Sequence, residues 1–309
     1  METRVLGRTG LRVSTVGLGA AYLGSPSAKP SDERRVDPEL GKATVWAAVE
    51  AGCALIDTAA LYGTGSSEQF IGDAFRERPD LAAQTLVTTK VGHLPEGYDG
   101  SYDMAMRCVE GSMERLGVER FPLLYIHDPM DLPMDLVMSD RGALGALRAL
   151  QKRGVLDHIG VAANDPETNA TYLETGEFDA AVVPDAWSLI NPLAQERIFP
   201  AAERHGTGLV IATPLEVGLL AAGARGDITF PRRQFSEEVL EHVRQLENIC
   251  DRYGISLAAA ALQYIVQHPN VASVIPGART PEEAQANAAA MQEQIPTAFW
   301  EEVRPLLHH

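Results

Sequence analysis

The feature that most limits the folds open to this chain is a repeated rhythm of short apolar run, loop and amphipathic stretch. Eight runs read as strands, at 14–19, 54–58, 86–91, 123–127, 158–162, 180–184, 209–213 and 272–276. Between them the spacing is helical. In 104–116, for example, Ala105, Cys108, Val109, Ser112, Met113 and Leu116 fall at i, i+3, i+4, i+7, i+8 and i+11. Eight strands alternating with helices predict a closed α/β (β/α)8 TIM barrel, formed by one domain over residues 1–309. A turn at 7–10 between two alternating segments predicts a β-hairpin ahead of the barrel. Polar stretches at 25–35 and 218–235 become long loops after strands 1 and 7, over the carboxyl ends of the strands where barrel sites form.

Charge narrows the partners. Twenty-six Lys and Arg face 42 Asp and Glu, a net charge of −16 that repels a phosphate backbone, and no basic patch opposes it. The three cysteines, Cys53, Cys108 and Cys250, are widely spaced with no CxxC pair, which indicates neither a disulfide framework nor a zinc knuckle and fits a reducing cytoplasm. The opening METRVLGRTG has no apolar signal region, and no run approaches a membrane span. A cytoplasmic monomer or weak homo-oligomer is expected, with a small molecule as its partner and neither nucleic acid nor membrane. His308 and His309 resemble an expression remnant.

Chemistry enters where polar residues interrupt the strands. Asp57 ends ALID, Lys90 ends LVTTK, His127 ends LLYIH, and Tyr62 follows the second strand closely. Singly, each has an ordinary structural role as a turn cap, a rim charge, a buried hydrogen-bonder or loop packing. Together they place four reactive side chains at one mouth of a barrel.

The ordered motifs LGRTGLRVSTVGLG at 6–19, IDTAALYGTGSSEQFIGDAF at 56–75, TTKVG at 88–92, YIHDP at 125–129, IGVAAN at 159–164, ATPLEVGLL at 212–220 and VIPGARTPEEAQAN at 274–287 carry a resemblance to the aldo-keto reductase superfamily over essentially the whole chain. The IHDP form and the ending IPTAFWEEVRPLL are similar to its aldose 1-dehydrogenase branch, which includes L-fucose, L-galactose and pyridoxal dehydrogenases. The resemblance implies a catalytic tetrad of Asp57, Tyr62, Lys90 and His127, with Tyr62 exchanging the proton, Lys90 stabilising its phenolate, Asp57 holding Lys90, and His127 orienting the substrate oxygen. It further implies a nicotinamide dinucleotide. Asn164 would meet the carboxamide; Thr213, Pro214, Leu215, Gly218 and Leu219 would cover the pyrophosphate; Gly277, Arg279, Glu283 and Asn287 would lie at the adenosine end. Arg279 suits a 2′-phosphate and favours NADP(H), whereas Glu283 could instead accept from a ribose hydroxyl of NAD(H).

The chain departs from the family where Val182, Val183 and Pro184 stand in place of a carboxamide-facing glutamine, and where Ala212 and Thr213 replace a ring-stacking aromatic. Tyr22 and Trp187 are the aromatic candidates for the substrate pocket. Other motifs fall short: GLGAAYLG at 17–24 has Tyr22 at the third glycine of a dinucleotide fingerprint, and YGTGSSE at 62–68 lacks the GK[ST] of a phosphate loop. No HExxH or comparable ligand spacing predicts a metal. Aldose oxidation and aldehyde or ketone reduction both fit the implied chemistry. The alternatives are a nicotinamide-binding regulatory or structural subunit with little turnover, and a barrel hydrolase or isomerase that needs no nucleotide.

Overall fold

The computed structural model describes residues 1–25, 36–225 and 233–307; parts of both rim loops and the terminal His308 and His309 lie outside the described residues. Strands β1 (Thr3–Val5) and β2 (Arg12–Ser14) form the antiparallel hairpin. Eight parallel strands follow: β3 (Leu18–Gly19), β4 (Leu55–Asp57), β5 (Leu86–Val91), β8 (Phe121–His127), β9 (Leu156–Ala162), β10 (Ala180–Val183), β11 (Gly208–Ala212) and β12 (Val271–Ile275). A small second hairpin, β6 (His93–Leu94) and β7 (Gly97–Tyr98), stands after β5. The eight strands pair in chain order. Parallel bridges from Val16 to Val274 and from Gly19 to Gly277 close the first strand onto the last, completing the expected (β/α)8 barrel.

Helices cover the outside. Helix Tyr102–Leu116 begins two residues before the periodic run, where the Ser101 hydroxyl accepts from the Met104 N–H, and ends at Gly117 in the left-handed region. Alternation along the strands sorts side chains between two cores. Leu124, Ile126, Ile159 and Val161 face the helical layer, while Leu55, Leu123, Tyr125, Ala162, Val182 and Val210 fill the barrel. Tyr125 is accommodated because its register partner is Gly160, where a Cβ would stand 2.3 Å from the tyrosine ring. Leu6 and Val13 of the first hairpin join the inner cluster, and the Arg8 N–H donates to the Gly206 carbonyl just before β11. The hairpin thus plugs the amino-terminal mouth and leaves the carboxyl-terminal mouth for chemistry. Within the stretch expected as one loop after strand 7, Leu219–Ala222 forms a short helix. No helix among the described residues is long and apolar enough to cross a membrane.

Candidate active site

The inward-facing rows become polar at their carboxyl ends. Asp57 lies two residues beyond Leu55, Lys90 two beyond Thr88, and His127 two beyond Tyr125, so each shares its predecessor's face of the strand. All three are buried, Lys90 at 2% exposure. The Lys90 ammonium donates to Asp57 Oδ2 at 2.5 Å, to the Thr58 carbonyl at 2.8 Å and to the Tyr62 hydroxyl at 3.1 Å. Thr88 completes the support of Asp57 by donating to Oδ1 at 3.0 Å. The alternation that marks Lys90 also marks Thr88, which the motif reading passed over.

Tyr62 comes from a tight turn after β4. Gly63 at φ 57° and Gly65 at φ 90° adopt conformations open to glycine, and Thr64 joins them at φ 60°. Helix Ser66–Glu77 then anchors the turn from below. Ser67 Oγ lies 2.8 Å from Thr58 Oγ1 and donates to the Ala20 carbonyl at 2.9 Å. Fully buried Glu68 accepts from Thr89 Oγ1 at 2.5 Å and from Arg115 Nε at 2.7 Å. Thr89 neighbours Lys90 on β5 but faces outward, so one carboxylate ties the Tyr62 helix to the Lys90 strand.

The electrostatics follow from this burial. Desolvation raises the Tyr62 hydroxyl above the usual 10, and the Lys90 charge opposes that rise without cancelling it. Burial alone would lower the Lys90 ammonium, but Asp57 and Tyr62 together hold it above its usual value. Burial, followed by the charge of Lys90 and the nearby His93, drives His127 well below 6.5, leaving a neutral imidazole at pH 7. Its ring lies edge-on to that of Tyr62, centroids 5.7 Å apart. The structure therefore brings Asp57, Tyr62, Lys90 and His127 to one place.

The remaining sequence candidates divide. Asn164, exposed at the end of β9, is held beside His127 by hydrogen bonds to Asp128. Thr213 at φ 51° accepts from the Asp185 N–H at 3.2 Å, Pro214 is buried and Leu215 half-buried, and Gly218 at φ 105° leads into the short helix whose Leu219 is fully buried. Gly277, which bridges to Gly19, accepts from Asn287 Nδ2 at 3.3 Å, and Tyr22 lies next to it, 38% exposed, where a Gly277 Cβ would meet its ring at 3.7 Å. Arg279 is paired: Glu283 takes its Nε at 3.1 Å, its main-chain N–H at 2.8 Å and an ion pair through Nη2.

Trp187 is placed apart from the four. It is 5% exposed, stacks on Tyr264 at 5.2 Å, meets Phe199 edge-on at 4.9 Å and donates Nε1 to the Ile265 carbonyl at 3.3 Å. Helices beyond β10 present an aromatic shelf that captures the indole, which packs in the outer core. Sequence reasoning also missed Asp128 and His93. Asp128 directly follows His127 in IHDP, and its immediate position before Pro129 offered a signal of irregular backbone.

Known proteins are similar to this chain along nearly its whole length. The profile of the aldo/keto reductase family matches residues 15–307. Pyridoxal 4-dehydrogenase of Microbacterium luteolum is 31% identical, with 98% of this chain and 96% of that protein covered. D-threo-aldose 1-dehydrogenase of a Pseudomonas species is 28% identical over 95% of this chain and 94% of its own. In fold, the chain is similar to the holo form of an aldo-keto reductase from Bacillus halodurans, with a TM-score of 0.77 at 24% identity, covering 100% of this chain and 97% of the other. With the barrel, its ordered motifs and the family match in agreement, the chain belongs to the aldo/keto reductase family and is an NAD(P)-dependent oxidoreductase.

Proposed function

We propose that the protein interconverts a small polar carbonyl compound and its alcohol, acting as an aldose 1-dehydrogenase or an aldehyde or ketone reductase, with Tyr62 moving the proton. The observation that carries this reading is the buried Asp57–Lys90 pair 3.1 Å from the Tyr62 hydroxyl. Its relatives that act on pyridoxal and on D-threo-aldoses support a hydroxyl-bearing substrate.

The exposed Asn164 amide beside His127, and the glycine pair Gly19 and Gly277 on the same rim, fit a dinucleotide whose carboxamide meets Asn164. When bound, the nicotinamide supplies or accepts the hydride. The protein's own task is the proton. A buried ammonium beside Tyr62 stabilises the phenolate left by donation, and Asp57, by holding that ammonium, keeps it from turning away. Neutral His127, with Nε2 3.7 Å from the nearest carboxylate, keeps a donor available for the substrate oxygen. Oxidation uses the same groups in reverse, with Tyr62 as the phenolate. Arg279 alone favours NADP(H), but its guanidinium is engaged by Glu283, and that carboxylate repels a 2′-phosphate and accepts from a 2′-hydroxyl. The pairing supports NAD(H) as the preferred form.

The test has two parts: binding of NADH and NADPH by tryptophan quenching, and turnover on a panel of aldoses and aldehydes. NADH is expected to bind more tightly, and Lys90→Met to lower kcat by about 10² or more on every substrate turned over by the wild type. Full activity in that variant would refute the assigned roles. Dinucleotide binding without turnover anywhere on the panel would point to a binding subunit.

A further inference from the structure

Asp128 lies next to His127 in sequence, yet its side chain serves Asn164 on the neighbouring strand end. Its Oδ1 accepts the Asn164 main-chain N–H at 2.8 Å, and its Oδ2 accepts the Asn164 side-chain Nδ2 at 2.9 Å. A carboxylate only accepts hydrogen bonds, so the Asn164 amide is obliged to turn its nitrogen toward Asp128 and cannot flip without losing a charge-assisted bond. The aspartate is itself fixed. Its N–H donates to the Ala162 carbonyl at 2.7 Å, and its carbonyl shares the single proton of the Tyr98 hydroxyl with the Met130 carbonyl, which lies 2.5 Å from that hydroxyl oxygen. It holds a φ of 44°, outside the range that a residue before proline ordinarily adopts, and its side chain is 15% exposed. An exposed asparagine on a strand end would ordinarily rotate freely; here one carboxylate accepts from its main-chain N–H and, through the other oxygen, from its side-chain amide, which it holds.

We propose that Asp128 is a positioning residue which fixes the edge that Asn164 presents to the nicotinamide carboxamide, and so provides a large share of the affinity that depends on the nicotinamide ring. This rests on the nicotinamide reading of the site given above. Asp128 acts through Asn164, so its loss weakens recognition of the nicotinamide half while leaving the adenosine half untouched.

Calorimetric titration of wild type, Asp128→Ala, Asn164→Ala and the double variant with NADH and with ADP-ribose, which lacks only the nicotinamide, tests this. Asp128→Ala is expected to bind ADP-ribose like the wild type, which also reports that it is folded, and to bind NADH about tenfold more weakly. In the Asn164→Ala background the same substitution should add nothing, because the group it orients is gone. Asp128→Asn keeps one acceptor and should lose less than Asp128→Ala. Equal loss for both ligands, no loss for NADH, or additive losses in the double variant would overturn the inference. A wild type that binds NADH no better than ADP-ribose would overturn the nicotinamide reading and this inference with it. A nicotinamide-dependent gain that survives Asp128→Ala would overturn the inference alone.

Discussion

At the scale of single residues, the site is a balance between burial and one cation. Burial raises the pKa of the Tyr62 hydroxyl above its usual value, and the Lys90 charge opposes this. Reduction needs the protonated phenol, so its rate should stay level through neutrality and fall only on the alkaline side. Oxidation needs the phenolate and should climb with pH. Profiles of kcat/KM in both directions on one substrate pair check this; an oxidation rate that is level from about pH 6 to about pH 10, with hydride transfer limiting, would contradict it. Such apparent values belong to Tyr62 and Lys90 together. His127 adds no acidic limb near neutrality, since burial holds its imidazole neutral well below 6.5.

At the scale of elements, the decisive joint is between helix Ser66–Glu77 and β5. Glu68 is fully buried and bridges Thr89 to Arg115, whose side chain passes within 3.1 Å of the place a Gly65 Cβ would occupy. Replacing this carboxylate by alanine strands the Arg115 guanidinium, and Glu68→Ala should cost about 3 kcal/mol of stability. Glu68→Gln keeps an acceptor and should cost less. Urea unfolding measures both. Because the helix begins immediately after the Tyr62 turn, Glu68→Ala should also lower kcat more than it raises KM. These elements were largely legible in the sequence. The run at 86–91 coincides with β5, and the other barrel strands differ from their apolar runs by a few residues, because a strand buried on both faces must be apolar in both. The first strand was the least legible: 14–19 splits between the end of β2, a bridge at Val16 and the two residues of β3. It pairs with β4 along one side and with β12 along the other, while its first residue belongs to the hairpin, and the β12 partner is one that no local pattern reveals.

At the scale of the molecule, stability and chemistry occupy opposite ends of one barrel. Leu6 is fully buried in the plug at the amino-terminal mouth, and Leu6→Ala should lower stability by about 2–5 kcal/mol while leaving kcat and KM unchanged at a temperature where the variant stays folded. Equilibrium unfolding and kinetics on the same preparation measure the two effects; a parallel loss of activity would mean that the plug and the site are coupled.

The strand-and-helix rhythm, the barrel and the places of Asp57, Lys90 and His127 at the carboxyl ends of inward-facing rows are all written in the local pattern, since a period of two dictates which side chains share a face. Tyr62 followed from its motif and the glycines that shape its turn. Side-chain pairing emerges only on folding: Trp187 is taken by an aromatic shelf, Arg279 is occupied by Glu283, and Asn164 is held by Asp128. The physical reason is that local pattern sets the direction of a side chain, whereas the partner it meets is brought by another segment of chain. Even Glu283, four residues from Arg279 along the sequence, closes on it only because the turn into the helix at Pro281 aims both at the same spot.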